Sequence, residues 1–361
     1  MIYELEFLGL PQATQDSDAI CFRYYNPYIK RFVVGVYDGG LKDYGEALKN
    51  HLNAYYFNGV INPVIDYVIC SHPDQDHASG LIEILSNFRV NTLVMNRPWL
   101  YIDELFPKIY DDRITKHSLE QRLRESFPYV NELERIALKN GIHIQEGFQG
   151  YKIDENLTIL SPSREFYLKL LAESTKTPLQ EKENNLFSLT RRIFKDAIES
   201  WTNELIREDV ETSAENESSI ILLGDMGEEK FLLTGDGGIR ALTAAADYAE
   251  RQNICNLTEI KIHQIPHHGG RHNVSPSLLN RILGNIVPEG KYTNRIAIVS
   301  VAVDSDHPKK MVTNAYIRRG LKVYEARSKI LRHHHGALPE RKGWNAATPL
   351  KFNKQVEDWD N

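Results

Sequence analysis

The sequence predicts a layered α/β (α+β) protein. Two strand-rich halves flank a mainly helical middle, and helical stretches interleave with the strands of each half. In the first half, period-two and β-branched runs occupy 3–10, 19–25, 31–40 and 64–70, with one helical stretch at 44–56. The second half opens on two apolar runs around a Gly-Asp-Met-Gly-Glu-Glu turn within 218–236, which predicts a hairpin. Buried strands are expected at 260–268, 295–303 and 321–326, with helical segments at 275–283 and 308–319 between them.

From about Asp103 to Thr212 the chain reads as helical, apart from a strand-like stretch at 141–162. Beyond Glu181, Leu186, Leu189, Ile193, Ala197 and Trp201 recur at three- and four-residue steps, which predicts an amphipathic helix. Residues 165–213 are accordingly expected to form a helical insertion within one domain spanning 1–335. Packing against the sheet is the simpler role for it, and a substrate lid or partner surface the alternative. The tail, 336–361, is polar, contains Pro339, Gly343 and Pro349, and is expected to be irregular.

Composition sets broad limits. With 361 residues, 42% hydrophobic and 25% charged, the chain can bury a large core. No apolar run approaches the ~18 residues needed to span a bilayer, and the N-terminus alternates like a strand, so a cytoplasmic address without membrane contact is expected. Cys21, Cys70 and Cys255 are odd in number, far apart and in apolar neighbourhoods, so all three are expected to be buried thiols. A net charge of −6 gives no global attraction to nucleic acid, although a local basic patch is compatible with it.

The chemistry concentrates where the apolar run 64–70 ends. His72, Asp74, Asp76 and His77 follow within a few residues, ahead of the helical stretch 81–88. Packing does not explain four hydrophilic ligands after a buried strand, and a strand-to-helix loop can wrap around ions. One metal would leave some of them idle, whereas two would use them all. Downstream, Asp236 ends another apolar strand just before two glycines, and its two carboxylate oxygens could bridge two ions. His267 and His268 end a third strand, and either offers a neutral imidazole. His263 alternates with its strand and is expected in the core or at the sheet edge. Rival chemistries lack support, since there is no Gly-x-Ser-x-Gly elbow and no phosphate-binding glycine loop before a helix.

His72 to His77, the Thr-Gly-Asp at 234–236 and the Pro-His-His-Gly at 266–269 resemble the metallo-β-lactamase superfamily. More narrowly, they are similar to the hydrolase (nuclease) domain of the competence protein ComEC. The resemblance extends to 16–24, 37–40, 216–223 and 305–326, and so covers most of the chain outside the insertion and tail.

That resemblance implies a four-layer αββα sandwich with two divalent metal ions in a cleft at one edge of its sheets. It would place His72 and Asp74 on the first ion and Asp76 and His77 on the second. Asp236 would bridge them, and one of His267 or His268 would complete the second. Asp38 would orient ligands from behind, and His307 would face the substrate or its leaving group. The sequence departs from the superfamily at Asp74, which stands where a second histidine is usual, and in lacking a histidine before the third strand block. Asn216 lies nearest that missing ligand, where it is either a weak ligand or water-holder or a turn and cap residue. Oxygen in place of imidazole makes Mn²⁺ or Mg²⁺ more competitive with Zn²⁺.

The implied activity is a phosphodiesterase or nuclease acting on DNA through a hydroxide shared by the two ions, with Asp76 and Asp236 indispensable and His307 a candidate proton donor. Lys309 and Lys310, with Arg318, Arg319 and Lys322, are candidate phosphate contacts, or else a solvated helix face. The basic tract 332–335 is expected in an exposed tail. By analogy, a separately encoded partner in DNA processing or anti-phage defence is conceivable. A small-molecule hydrolase acting on a cyclic nucleotide, phosphodiester or lactone is the alternative, followed by a catalytically silent binding subunit.

Overall fold

A computed structural model of the chain describes residues 1–108, 114–177 and 196–359. Strands assemble into two large sheets. The seven-stranded sheet runs in the order Leu331–His335, Tyr3–Phe7, Ala19–Asn26, Arg31–Gly39, Val64–Ile69, Arg89–Val94 and His143–Gln145, with three antiparallel pairings followed by three parallel ones. The six-stranded sheet runs Lys322–Arg327, Ile296–Val301, Ile262–Gln264, Lys230–Leu233, Ile221–Asp225 and Leu157–Ser161, parallel as far as Lys230–Leu233 and antiparallel beyond.

Side-chain alternation distributes each strand between two cores. Along Ala19–Asn26, Ile20, Phe22 and Tyr24 enter a core shared with Leu222, Phe231 and Ile298 of the other sheet, where Phe22 and Phe231 lie 5.7 Å apart. Ala19 and Cys21 point the other way, into a core closed by helices Lys42–His51, Leu81–Asn87, Lys116–Ser126 and Pro128–Asn140. Leu223, Leu232, Val299 and Val323 likewise leave the inter-sheet core to pack beneath helices Ile239–Arg251, Pro276–Leu283 and Lys310–Arg318. Three apolar layers between four structural layers define an αββα sandwich, the arrangement that the resemblance to the metallo-β-lactamase superfamily implies.

This topology collects chemistry at one edge. The strands ending at Gly39, Ile69, Leu233, Gln264 and Val301 all have parallel neighbours, and the loops beyond their carboxyl ends carry the candidate ligands. Among the described residues no helix is long and apolar enough to cross a membrane.

Several expectations need correction. Leu186, Leu189 and Ile193 lie outside the described residues, but Ala197 is not helical. It sits in the strand Asp196–Ile198, which pairs antiparallel with Gln355–Glu357 in the tail expected to be irregular. Trp201 occupies a turn, where its Nε1 donates to the Val287 carbonyl at 2.7 Å and its ring meets Phe352 at 5.3 Å. The three- and four-residue spacing thus continues by coincidence into extended chain, whose apolar side chains pack instead against the tail. The tract 332–335 is no tail either, because it pairs with Tyr3–Phe7 as the edge strand of the larger sheet. Of the cysteines, Cys21 and Cys70 are buried and Cys255 is half-buried.

Candidate metal centre

The ligand loop is built around Asp38, the penultimate residue of Arg31–Gly39, which holds a left-handed backbone at φ 58°. Its Oδ1 accepts the Ser71 backbone N–H at 2.7 Å, and its Oδ2 accepts the Ser71 hydroxyl at 2.6 Å and lies 2.8 Å from His77 Nδ1. Ser71 has a single hydroxyl hydrogen and gives it to Asp38. Its oxygen, 3.0 Å from His72 Nδ1, therefore accepts from that ring. One carboxylate thus sets the tautomer of two histidines and leaves both Nε2 atoms facing the cleft. Gly80 lets the loop return against the strand end. A Cβ there would lie 1.9 Å from the Gly39 carbonyl oxygen, while Gly80 N–H donates to Gly40 at 2.8 Å.

The opposite wall follows the same plan. His267 and His268 both adopt left-handed backbone, φ 50° and 53°, a conformation rare outside glycine that turns two consecutive imidazoles toward one site. His267 Nδ1 lies 2.8 Å from the Asn273 side-chain oxygen, and His268 Nδ1 lies 3.0 Å from the Ser300 carbonyl. Each again presents Nε2.

Asp236 stands between the walls. Its Oδ2 lies 3.8 Å from His72 Nε2 and 3.7 Å from His267 Nε2, and Asp74 Oδ2 is 3.8 Å from the same His72 atom. Its Oδ1 lies 3.2 Å from His77 Nε2, while Asp76 Oδ2 lies 3.8 Å from His77 Nε2 and 3.4 Å from His268 Nε2. The residues separate into His72, Asp74 and His267 on one side of Asp236 and Asp76, His77 and His268 on the other. Instead of one histidine from the pair at 267 and 268, the structure brings in both, one to each group.

The charges of the cluster shift one another. Burial opposes charge on His77, but Asp236, Asp76 and Asp38 outweigh it and hold the ring's pKa well above the ordinary histidine value. Burial and the adjacent His77 push His72 down. Burial would raise Asp236, yet His77, His267 and His72 hold it well below the carboxylate range. Despite that attraction, His72 Nε2, His77 Nε2 and Asp236 Oδ1 are buried without a hydrogen-bond partner. Such an orphaned atom costs about 1–3 kcal/mol. Three of them converging with carboxylates form a nitrogen and oxygen donor set that fits divalent cations.

Asn216 is placed differently from a direct ligand. Its side-chain nitrogen donates to Thr212 Oγ1 at 2.9 Å and lies 3.4 Å from His267 Nδ1, so it backs the His267 ring. Its backbone N–H caps onto Ser213 Oγ. His307 lies beside the cluster, 6.4 Å from His267 between ring centres, and with Asp76 and His268 lines a cavity of 570 Å³. His263 is buried, as expected.

The basic run divides. Arg318 and Arg319 are fully buried, paired with Glu199 at 3.0 Å and Glu204 at 2.7 Å, and cannot meet a substrate. Segment 199–204 covers that helix face and supplies the counter-charges. Lys322 starts a strand of the smaller sheet. Lys309 pairs with Asp306, and Lys310 is exposed. Both line a cavity of 660 Å³ that shares His307 with the first.

Sequence reasoning missed Asp18, Lys176, Asn273 and Asp16. Asp18 is buried behind His268, 3.9 Å from its Nδ1, and burial raises its pKa to about 6 even though His268 and His77 oppose the rise. Lys176 reaches Asp74 Oδ1 at 2.6 Å from the segment expected as an insertion. Asn273, in the loop after the paired histidines, fixes His267. Asp16 holds His307 at 2.9 Å.

Fold and site together define an αββα sandwich with a paired histidine–carboxylate centre at its sheet edge. No protein-family model and no curated protein matches the chain. Among solved structures, an archaeal metallo-β-lactamase superfamily protein from Sulfolobus tokodaii aligns at 13% identity over 80% of this chain and 88% of its own, with a TM-score of 0.30. Unliganded yeast PDE1 aligns at 13% identity over 90% and 97%, with a TM-score of 0.39.

Proposed function

We propose that this chain is a binuclear metal-dependent hydrolase, a phosphodiesterase or nuclease acting on DNA. The observation that carries the reading is the division of ligands about Asp236, whose two oxygens face separate histidine and aspartate groups. His72, Asp74 and His267 would hold one divalent ion and Asp76, His77 and His268 the other. Mixed imidazole and carboxylate donors suit Mn²⁺ as well as Zn²⁺, and Mg²⁺ is compatible with the carboxylates. When bound, two such ions supply Lewis acidity that activates water and offsets charge on a phosphoryl group.

The chain's own residues do the rest. Asp38 and Ser71 keep two imidazoles in one tautomer. Burial shields His72, His77, Asp236 and His268 from bulk water, while Asp74, Asp76 and His267 are partly exposed at the cleft. His307 lines the cleft with a ring nitrogen available to protonate a leaving oxygen. Beyond it, Lys309 and Lys310 line a second cavity, where the next phosphate of a polynucleotide would find positive charge.

The test is cleavage of single-stranded, duplex and circular DNA with Mn²⁺, Mg²⁺ or Zn²⁺, beside bis(p-nitrophenyl) phosphate and the Asp76→Ala variant. Metal-dependent cutting that disappears in the variant supports the reading. Turnover of the nitrophenyl ester with intact DNA moves the assignment to a small-molecule hydrolase, for which the 570 Å³ cleft is large enough.

A further inference from the structure

We propose that Asp16 is a positioning residue that holds His307 by Nδ1 and keeps Nε2 at the cleft as the proton donor to the leaving oxygen. This rests on the phosphodiesterase reading.

The two residues are 291 positions apart and meet because two loops are tied together at the site edge. Asp16 lies in the loop between the first two strands, and His307 in the loop after Ile296–Val301. The Val303 backbone N–H donates to Ala13 at 3.1 Å, joining the loops directly. Asp16 Oδ1 accepts the Ala302 N–H at 2.7 Å, and its Oδ2 accepts the Ser305 hydroxyl at 2.6 Å and lies 2.9 Å from His307 Nδ1. Ser305 Oγ in turn accepts the His307 backbone N–H at 3.0 Å. Arg327 closes the loop from below by donating to the carbonyls of Ala302, Val303, Ser305 and His307.

Both carboxylate oxygens are therefore committed, and the ring is fixed through its side chain and its backbone. Burial would raise the Asp16 pKa, but His307, the nearby His268, Ser305 and the Ala302 N–H outweigh it and bring it to about 2. An ionised Asp16 can only accept, so His307 Nδ1 carries the shared hydrogen and Nε2 is the nitrogen left for the cleft.

The step balances. Water supplies the oxygen that joins phosphorus and loses a proton to solvent. The P–O bond to the leaving group breaks with its electron pair on the leaving oxygen, which takes the Nε2 proton. The ring is left neutral and regains a proton from water.

The experiment uses the full chain labelled with ¹⁵N-histidine, followed by kinetics with Mn²⁺. In the nitrogen spectrum, His307 Nδ1 is expected to be protonated and hydrogen-bonded, and Asp16→Asn should shift the His307 signals more than those of any other histidine. In kinetics, Asp16→Asn should lower kcat on an unactivated dinucleotide about 100-fold. The loss on bis(p-nitrophenyl) phosphate, whose leaving group needs little protonation, should be at least tenfold smaller. In a His307→Ala background Asp16→Asn should cause no additional loss. Unchanged His307 signals, equal losses on the two esters, or additive losses would each overturn the proposal. A wild-type chain inert toward both esters overturns the phosphodiesterase reading and the leaving-group role with it. The nitrogen spectrum distinguishes that outcome from a missing Asp16–His307 pairing.

Discussion

Oδ2 of Asp38 lies 2.8 Å from Nδ1 of His77, and both side chains are wholly buried. The contact places a negative charge behind an imidazole whose other nitrogen faces Asp236, so it bears on how well that nitrogen donates to a cation. Asp38→Asn keeps an oxygen beside His77 and removes the charge. Metal affinity of the His77 group should fall by about 10–100-fold. Chelator competition monitored by metal content checks this, and an unchanged affinity would show that Asp38 only packs.

Asp236 distinguishes two coupled ions from one. Asp236→Ala removes the oxygens facing both groups, whereas His267→Ala removes a donor from one of them. After equilibrium dialysis against Mn²⁺ or Zn²⁺, His267→Ala should keep one tightly held ion per chain. Asp236→Ala should keep fewer and lose hydrolysis to background. Equal metal content in the two variants would argue against a shared bridging carboxylate.

Why was so much of this site legible in the sequence and its support not? His72, Asp74, Asp76 and His77 stand close together after an apolar strand, and local hydrophobicity cannot account for them. Alternating apolar residues similarly announced the strands 19–25 and 31–40. Asp38 was legible through the resemblance at 37–40, but the other supporting residues left no such local mark, since Asp16 and His307 are 291 positions apart and Lys176 and Asp74 are 102 apart. Such pairs depend on which loops the sheets bring to a common edge. Strand Leu331–His335 escaped notice for a related reason. Its Arg-His-His-His run lacks apolar alternation, and it is specified by pairing with Tyr3–Phe7, by the ion pair of Glu4 with Arg332 and by the hydrogen bond between Glu229 and His333.

Arg318 shows how a charge run misleads. On sequence it belongs to the same basic run as Lys310, yet its guanidinium is enclosed with Glu199, and it also donates to the Trp201 carbonyl at 2.9 Å. Arg318→Ala should destabilise the fold by about 3–5 kcal/mol, because Glu199 is left charged and enclosed. Lys310→Ala should leave stability within about 0.5 kcal/mol of wild type. It should instead weaken DNA binding and reduce the slope of log affinity against log salt by about 1. Urea unfolding and salt-dependent binding titrations separate the two roles, and a large stability loss in Lys310→Ala would contradict the assignment.

A pH dependence of stability is expected away from the candidate metal centre. Glu6 is buried, with Arg341 donating to its two oxygens at 2.5 and 2.6 Å and His51 Nε2 at 2.9 Å. Burial would raise its pKa, but His51 and Arg341 outweigh that and lower it from 4.5 to about 2. Because the folded-state value is depressed, the stabilisation is complete above about pH 4.5 and is lost as pH falls toward 2. The difference corresponds to about 3 kcal/mol. Glu6→Gln removes the titration and leaves Arg341, which ties the tail to the first strand, without its charged partner. The stability gap between wild type and Glu6→Gln, measured by urea unfolding, should therefore be widest near neutrality and shrink by about 3 kcal/mol on approach to pH 2. A gap that stays constant across that range would mean that Arg341 and His51 do not hold Glu6 ionised.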